Sequence, residues 1–365
     1  MRKTPEPTNS SPAGHKNKLS NYLPGLLITL AFAIISFLTW WLLKGTWLKF
    51  SALLWAFIYS IVAVNALPAL FKTRFARGID FASTRLLRIA IALLGLTFSA
   101  SVWIKLGGEG VAVVLINLVI VFLLGLFFCK YILKLDIDLA ILITAGTTIC
   151  GASAIAAVGP ALRAKAENMG LSVAVITLFG LIAMFLYPIL FAGPLAGWLN
   201  NNPQAFSMWV GMGIHETAQV IAAASQINDA LSIATSAKFI RIFMIGPLVF
   251  ICLYLFQRFS NDKEKGKVRM TVPWFAVFFI LFSLVYFAIE STSIKSSWVA
   301  FSSTYIAPTV TFLLAWAFAA IGFKVRLSSI KAIGLKAFLG GITVAALAGV
   351  SSLLLVKYLW LPLQP

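Results

Sequence analysis

Along most of its 365 residues, the chain repeats apolar stretches that are long enough to cross a lipid bilayer. A helix needs about 20 apolar residues in succession to span the hydrocarbon core. Hydrophobic residues make up 61% of the sequence and charged residues only 11%, which is more apolar surface than one water-soluble core can bury. The sequence therefore predicts an all-α polytopic membrane protein.

About 11 hydrophobic segments of spanning or near-spanning length follow a polar tail at residues 1–21. They make residues 22–361 a single transmembrane domain and leave no room for a large soluble domain. The predicted segments are 22–43, 51–71, 89–104, 111–128, 139–162, 171–191, 206–225, 230–256, 274–289, 305–323 and 337–360.

The net charge is +18, and the excess of Lys and Arg falls mostly in loops between the apolar segments. This pattern is typical of cytoplasmic loops, so we expect no nucleic-acid partner. With a cytoplasmic N-terminus, 20 basic residues lie inside and 7 outside. If segments 139–162 and 206–225 both fold back instead of crossing, and enter from opposite faces, Arg163 and Lys165 move inside and the count becomes 22 against 5. Either version predicts an external C-terminus.

Two segments, 139–162 and 206–225, are small, hydroxylated and glycine-containing at their centres. Irregular backbone at membrane depth is tolerated only where it is buried in protein or lines a wet cavity, so we predict discontinuous or re-entrant helices. The alternative is a helix face of small residues that packs against a neighbour. Gly146, Ile149 and Ala157 recur 65 positions later as Gly211, Ile214 and Ala222, which suggests a duplicated element and an inverted repeat.

Lys238 and Arg241 lie three residues apart, on one face of a predicted helix and well inside the bilayer. A cation at the bilayer centre needs a partner or water because it costs at least ~2.5 kcal/mol. Half-helix N-termini have free N–H groups that attract negative charge, so the two cations beside them point to an anion site. Alternatively, Lys238 and Arg241 pair with Glu216 or extend to the interface.

His215 and Glu216 are adjacent titratable groups in an apolar segment, and with Thr217 they are candidates for binding a coupling ion. Alternatively, Glu216 only neutralises Lys238 or Arg241. Small polar groups in the irregular segments are candidates for binding an oxyanion, although hydroxyl groups also serve as ordinary contacts between helices. The candidate substrate-binding residues besides Lys238 and Arg241 are Thr147, Thr148, Cys150, Gly151, Ser153 and Gln219.

Three stretches carry a resemblance to a known family. They are Thr-Ile-Cys-Gly-Ala-Ser-Ala-Ile-Ala-Ala at 148–157, Gly-Ile-His-Glu-Thr-Ala-Gln-Val-Ile-Ala-Ala at 213–223 and Lys-Phe-Ile-Arg at 238–241. In these stretches the chain resembles the bacterial sulfate exporter family, inner-membrane proteins of the wider cation/proton antiporter and anion transporter fold group. The resemblance implies inverted repeats, discontinuous helices, elevator-type alternating access and, by analogy, a homodimer.

We therefore expect a secondary transporter that moves a small anion, such as sulfate or a related sulfur oxyanion or sulfonate, with H⁺ or Na⁺ coupling. The alternative within transport is a cation/proton antiporter that uses Glu216. A third hypothesis is an intramembrane hydrolase with a Ser153 and His215 dyad. That hypothesis has no other supporting motif, so we do not expect an enzyme. The sequence implies no cofactor and no metal site.

Overall fold

The computed structural model describes residues 21–43, 50–71, 74–259, 274–326, 328 and 333–363. Every regular element in these ranges is helical, which confirms the prediction of an all-α protein. The predicted polar tail lies outside the described residues, apart from its last residue, Asn21.

Sixteen α-helices lie within the described ranges and are numbered here in chain order. They are α1 (Leu23–Leu43), α2 (Ala52–Ala66), α3 (Ala76–Phe81), α4 (Leu87–Leu94), α5 (Ser101–Phe127), α6 (Ile137–Thr148), α7 (Ala152–Leu162), α8 (Ala166–Ala192), α9 (Pro203–Gly213), α10 (Thr217–Ala224), α11 (Leu231–Phe243), α12 (Ile245–Phe259), α13 (Trp274–Glu290), α14 (Lys295–Phe301), α15 (Ala307–Gly322) and α16 (Leu335–Leu355). Short π-helical stretches join α3 to α4 at Ala82–Leu86 and α14 to α15 at Ser302–Ile306.

Five helical stretches are long and apolar enough to cross a membrane. They are Leu23–Leu43, Leu106–Ile132, Glu167–Ala192, Lys295–Gly322 and Leu335–Leu363. Helices α11 and α12, which meet at a bend of 44°, add a sixth if they form one span. The remaining predicted segments correspond to shorter helices, so the number of about 11 segments stays a prediction.

The predicted segment 89–104 is wrong in its bounds. The helical path begins at Ala76, passes through the π-helical stretch into α4 and ends with a 3₁₀ turn at Gly95–Thr97. Its first half contains Arg77 and Arg85, which made 72–88 look like a basic loop. Long basic side chains near the end of a membrane helix can direct their charge to the interface, so they do not prevent helix formation.

The helices pack in two groups. The scaffold group consists of α1–α4 and α13–α15, with α2 packed closely on α15 and α1. The core group consists of α5–α12 and α16. Extensive packing occurs within each group, and the boundary between them is a seam that runs through the bundle.

Helices α6 and α7 form a hairpin rather than one crossing helix. Asn168 Nδ2, at the start of α8, donates a hydrogen bond of 2.8 Å to Asp138 at the start of α6. Helix α7 ends at Leu162, shortly before Asn168. The chain therefore enters through α6, turns at residues 149–151 and returns through α7 to the end from which it came.

Helices α9 and α10 form a second hairpin that starts from the opposite end of the bundle. Gln226, just after α10, lines a cavity with Phe50 and Ala192, and Ala192 is the last residue of α8. Helix α8 starts beside Asp138 and runs away from it for 27 residues, so the α10 end lies far from the α6 start. The two hairpins thus point toward each other.

Basic residues collect at the end of the bundle where α6 starts, which we call the basic end. Lys134 and Lys336 line one cavity there, Lys324 and Arg326 line another beside Gly170, and Lys324 forms an ion pair of 2.9 Å with Asp80. Arg163 and Lys165 lie between α7 and α8 at the same end. The hairpin version of the charge count assumes this placement of Arg163 and Lys165.

The hairpin arrangement predicts which positions share one side of the membrane. Cysteines introduced as Lys134→Cys and Lys165→Cys should react with a membrane-impermeant maleimide from the same side, because both positions lie at the basic end. Asn201→Cys should react from the other side and serves as the control. Labelling of positions 134 and 165 from opposite sides would mean that residues 137–162 cross the membrane completely.

Candidate functional site

The two hairpins break at equivalent positions. Helix α6 ends at Thr148 and α9 at Gly213, while α7 begins at Ala152 and α10 at Thr217, so the offset is 65 residues at both places. Each break leaves carbonyl groups at the end of one half-helix and N–H groups at the start of the next without helical partners. Inside a membrane protein these backbone groups must find partners within the protein.

Arg241 binds the carbonyl groups at both breaks. Its Nε donates to Thr148 O at 2.7 Å, and its Nη2 lies 2.5 Å from Thr147 O. Its Nη1 lies 2.5–3.0 Å from the carbonyl oxygens of Gly211, Met212 and Ile214. Only 1% of the Arg241 surface is exposed. One guanidinium group therefore joins the C-terminal ends of α6 and α9.

Lys238 lies one helical turn before Arg241 on α11 and makes the same kind of contact. Its Nζ donates to Ile214 O at 3.0 Å and to His215 O, and the residue is fully buried. Positive charge is favourable at the C-terminal end of a helix because the helix dipole is negative there. Both cations are thus paired with backbone carbonyl groups rather than with a carboxylate.

The N-terminal ends of α7 and α10 meet on the other side of the breaks. Gly151, which precedes α7, has a φ of +56°, and a Cβ atom there would lie 2.4 Å from Glu216 Cγ. Cys150 Sγ lies 3.3 Å from Thr217 Oγ1. Gly151 therefore allows both a left-handed backbone and the close approach of the Glu216 side chain.

Glu216 occupies the space between these two helix starts. It is the N-cap residue of α10 and forms a capping box with Gln219, whose Oε1 accepts a hydrogen bond of 3.2 Å from the Glu216 N–H. Its side chain lies against Gly151, the residue before α7, and it lines one cavity together with Ala152 of α7 and Thr177 of α8. Gln219 Nε2 donates to Thr177 O at 3.3 Å and holds this arrangement against α8.

A cavity of about 410 Å³ lies at the seam between the scaffold and core groups, in front of the two helix starts. The core group contributes Cys150, Ala152, Ser153, Val173, Thr177, Glu216, Thr217 and Ala218 to its walls, and the scaffold side contributes Ser83, Thr84, Leu87, Arg88, Ile91, Phe275, Ile321, Lys324 and Val325. The side chain of Lys324 is 48% exposed, so the cavity extends toward the basic end.

The structure brings four predicted residues to the cavity wall, namely Cys150, Ser153, Glu216 and Thr217. Gly151 and Gln219 shape the wall from behind through their contacts with Glu216. The other predicted residues, Thr147, Thr148, His215, Lys238 and Arg241, are buried behind the breaks and are not among the lining residues.

The scaffold side of the cavity was missed by the sequence analysis. Ser83 and Thr84 lie in the π-helical stretch, and Arg88 follows on α4. The interpretation of 72–88 as a basic loop removed these residues from consideration. A π-helical insertion often marks a functional site, but hydrophobic periodicity does not reveal one in the sequence.

Ser153 and His215 are not hydrogen-bonded to each other. Ser153 Oγ donates to Cys150 O at 3.0 Å, and neither ring nitrogen of His215 has a hydrogen-bond partner among the described residues. In the described structure His215 is therefore not placed to act as the base of a dyad with Ser153.

A family model described as conserved hypothetical protein 698 matches residues 24–341. The UPF0324 inner membrane protein YeiH of Salmonella typhi is 31% identical over 341 residues, which cover 89% of this chain and 90% of the relative. A UPF0324 membrane protein of Yersinia pestis is 33% identical over 331 residues, 88% of each chain. One of Pseudomonas aeruginosa is 33% identical over 346 residues, 93% of this chain and 94% of the relative.

No solved structure matches the chain. The relatives cover nearly its whole length, and their names describe membrane proteins. The resemblance inferred from the motifs is therefore confirmed at the level of the family.

The close contact between Gly151 and Glu216 can be tested by Gly151→Ala. The added Cβ meets Glu216 and the positive φ strains any residue other than glycine, so we expect a loss of about 1–3 kcal/mol and a lower thermal midpoint in detergent. Gly170→Ala is the control, since nothing lies within 4 Å of a Cβ at that helical position. A midpoint for Gly151→Ala equal to that of the control would contradict the described break.

Proposed function

The chain belongs to the family described as conserved hypothetical protein 698, and we propose that this member is a secondary transporter of small anions. The observation that carries the proposal is the cavity in front of two helix N-termini. Free N–H groups and the positive ends of two helix dipoles favour negative charge at that place. Half-helix ends that meet near the middle of a bundle are the usual substrate sites of secondary transporters.

The charges around the cavity support an anion. Arg88 and Lys324 line its wall, and Glu216 is the only carboxylate among the described lining residues. Lys238 and Arg241 add two buried positive charges directly behind the breaks. Hydroxyl groups of Ser83, Ser153 and Thr217 also line the wall and would donate to an anion by turning away from their present partners, Asp80 O, Cys150 O and Cys150 Sγ. Sulfate, a related sulfur oxyanion or a small sulfonate has the charge and the acceptor oxygens that such a site takes.

Alternating access follows from the two opposed hairpins. Their equal break positions support an inverted repeat, in which one site between two groups of helices opens first to one side and then to the other. The cavity lies at the seam, so movement of the core group along the scaffold group would carry the anion across. The excess of basic residues at one end favours a cytoplasmic position for that end and for the N-terminus, in a bacterial inner membrane.

A cation/proton antiporter is the second candidate, and Glu216 favours it. A carboxylate at the junction of two broken helices is a suitable ligand for Na⁺ or for a coupling proton. Stabilisation of the protein by Na⁺ alone, lost in Glu216→Gln, would support this candidate over the anion transporter.

Anion binding should depend on the exposed start of α7. Ser153→Asp adds a carboxylate to the first turn of α7, where it stabilises the helix by about 0.3–1 kcal/mol and repels an anion in the cavity. We expect thermal stabilisation by sulfate, sulfite or a small sulfonate to require at least tenfold more anion in this variant. Uptake of the same anion into proteoliposomes should also be lower for Ser153→Asp than for the parent protein.

Ser153→Ala is the matched control, because it removes the hydroxyl group without adding charge and should retain anion binding within a few fold. The thermal midpoint of Ser153→Asp without added anion shows whether this variant is folded and so separates weaker binding from unfolding. Stabilisation of the parent by no anion of the panel would reject the proposed function.

Movement between the two groups of helices can be tested at their contact opposite the basic end. Ser51 Oγ, at the start of α2, lies 3.0 Å from Ser225 Oγ, which follows α10. The pair Ser51→Cys and Ser225→Cys should form a disulfide that joins the scaffold group to the core group. We expect transport to fall to background in proteoliposomes and to return after reduction.

The single variant Ser51→Cys should transport with or without reductant. Full transport by the cross-linked double variant would show that the two groups do not separate at this contact during the cycle.

A further inference from the structure

We propose that the carboxylate of Glu216 occupies the anion position of the transporter and that the transported anion competes with it. This inference rests on the proposed function. It assigns to Glu216 the role of a tethered anion that fills the site when the substrate is absent. Substrate then enters when the carboxylate leaves the two helix starts or becomes protonated.

The first argument is the position of the carboxylate. Glu216 is the N-cap residue of α10, and at the same time its side chain lies against Gly151, the residue before α7. The N–H groups at these two helix starts are the ones that would bind an oxyanion in the cavity. A substrate anion and the Glu216 carboxylate therefore need the same N–H groups.

The second argument is the shape of the junction. Gly151 leaves room for the side chain, since its absent Cβ would lie 2.4 Å from Glu216 Cγ and 2.9 Å from Oε1. Gln219, which accepts a hydrogen bond from the Glu216 N–H, donates to Thr177 O of α8 and fixes the backbone of Glu216 at this place. The side chain is therefore held against the start of α7, although its own helix starts at Thr217.

The third argument is the balance of charge. Lys238 and Arg241 already bind carbonyl groups, and the structure shows no ion pair between either of them and Glu216 within its described residues. The junction has more positive than negative charge with one carboxylate present, and two anions at the same N–H groups would repel each other. Protonation removes the charge of Glu216, so one H⁺ would be taken up for each substrate anion that replaces the carboxylate.

Other charged and titratable groups face this position and set the background of any pH dependence. They are Lys238 and Arg241 of α11, Lys324 after α15 with its partner Asp80, Arg88 of α4, and His215 and Cys150 in the two breaks. A dependence that arises from Glu216 must disappear when Glu216 alone is replaced.

The test uses Cys150, the half-buried cysteine that lines the cavity, while Cys129 and Cys252 are fully buried. The rate at which a small maleimide alkylates Cys150 is measured at increasing anion concentrations, and the thermal midpoint is measured at the same concentrations. Each series gives the affinity for the anion. Glu216→Gln keeps an acceptor for the capping box but removes the charge. We expect it to bind sulfate, or the anion found for the parent, at least tenfold more tightly, which is about 1.4 kcal/mol.

Glu109→Gln is the control, because it removes the same charge from an exposed position on α5 and should leave the affinity unchanged. In the parent, affinity for the anion should rise as the pH falls, and Glu216→Gln should show a much smaller rise. The pH series of the parent supplies the test if Glu216→Gln does not fold, since an affinity that stays constant or falls with acidification would reject the competition.

Three results separate this inference from the proposed function. Equal or weaker anion binding by folded Glu216→Gln overturns the competition and leaves the anion transporter in place, with Glu216 as a supporting ligand. Stabilisation of the parent by Na⁺ and by no anion overturns both. Tighter anion binding with loss of the pH dependence supports both.

Discussion

The contact of Arg241 with five carbonyl groups is the interaction on which the centre of this structure depends. A helix that ends inside a membrane protein exposes carbonyl groups to a region that has no bulk water to satisfy them. Two such ends meet here, and one planar guanidinium group with its five fixed N–H donors can serve both. Lys238 satisfies carbonyl groups next to them. Without these two side chains, the broken helices would leave several buried acceptors unpaired, at about 1–3 kcal/mol for each.

This arrangement also determines which helix ends face the cavity. The cations bind the negative ends of α6 and α9 behind the breaks, so the positive ends of α7 and α10 are the ones that face the cavity. The buried cations and the helix dipoles therefore both make the electrostatic potential in the cavity more positive. Glu216 is the single carboxylate in the described wall, and its place between the two helix starts is what such a field favours. The same side chain is for this reason central to anion and to cation hypotheses alike.

The sequence predicts the helical membrane class and both breaks, because glycine, threonine and serine interrupt otherwise apolar segments at 146–153 and 211–217. It also identifies Lys238 and Arg241 as buried cations in need of partners. It does not identify those partners, since backbone carbonyl groups belong to every residue and leave no mark in the composition. Arg88 and Lys324 were missed for another reason: their contribution to the wall depends on the scaffold helices packing against α7 and α10, and a pattern read along the chain does not contain contacts between distant segments.

The opposed hairpins bring two helix starts together inside the bundle. Helices α6 and α7 enter from the basic end and α9 and α10 from the other, so the helix starts meet at a depth that neither hairpin would expose alone. Near the basic end the seam is open around Lys324, whereas at the other end Ser51, Ser225 and Gln226 join the two groups through hydrogen bonds. Apolar side chains also close the seam, since Leu54 and Ile91 of the scaffold group belong to one hydrophobic cluster with Met184 and Ala218 of the core group. The contacts around Arg241 lie within the core group, so the two broken helices are held together independently of the contacts at the seam.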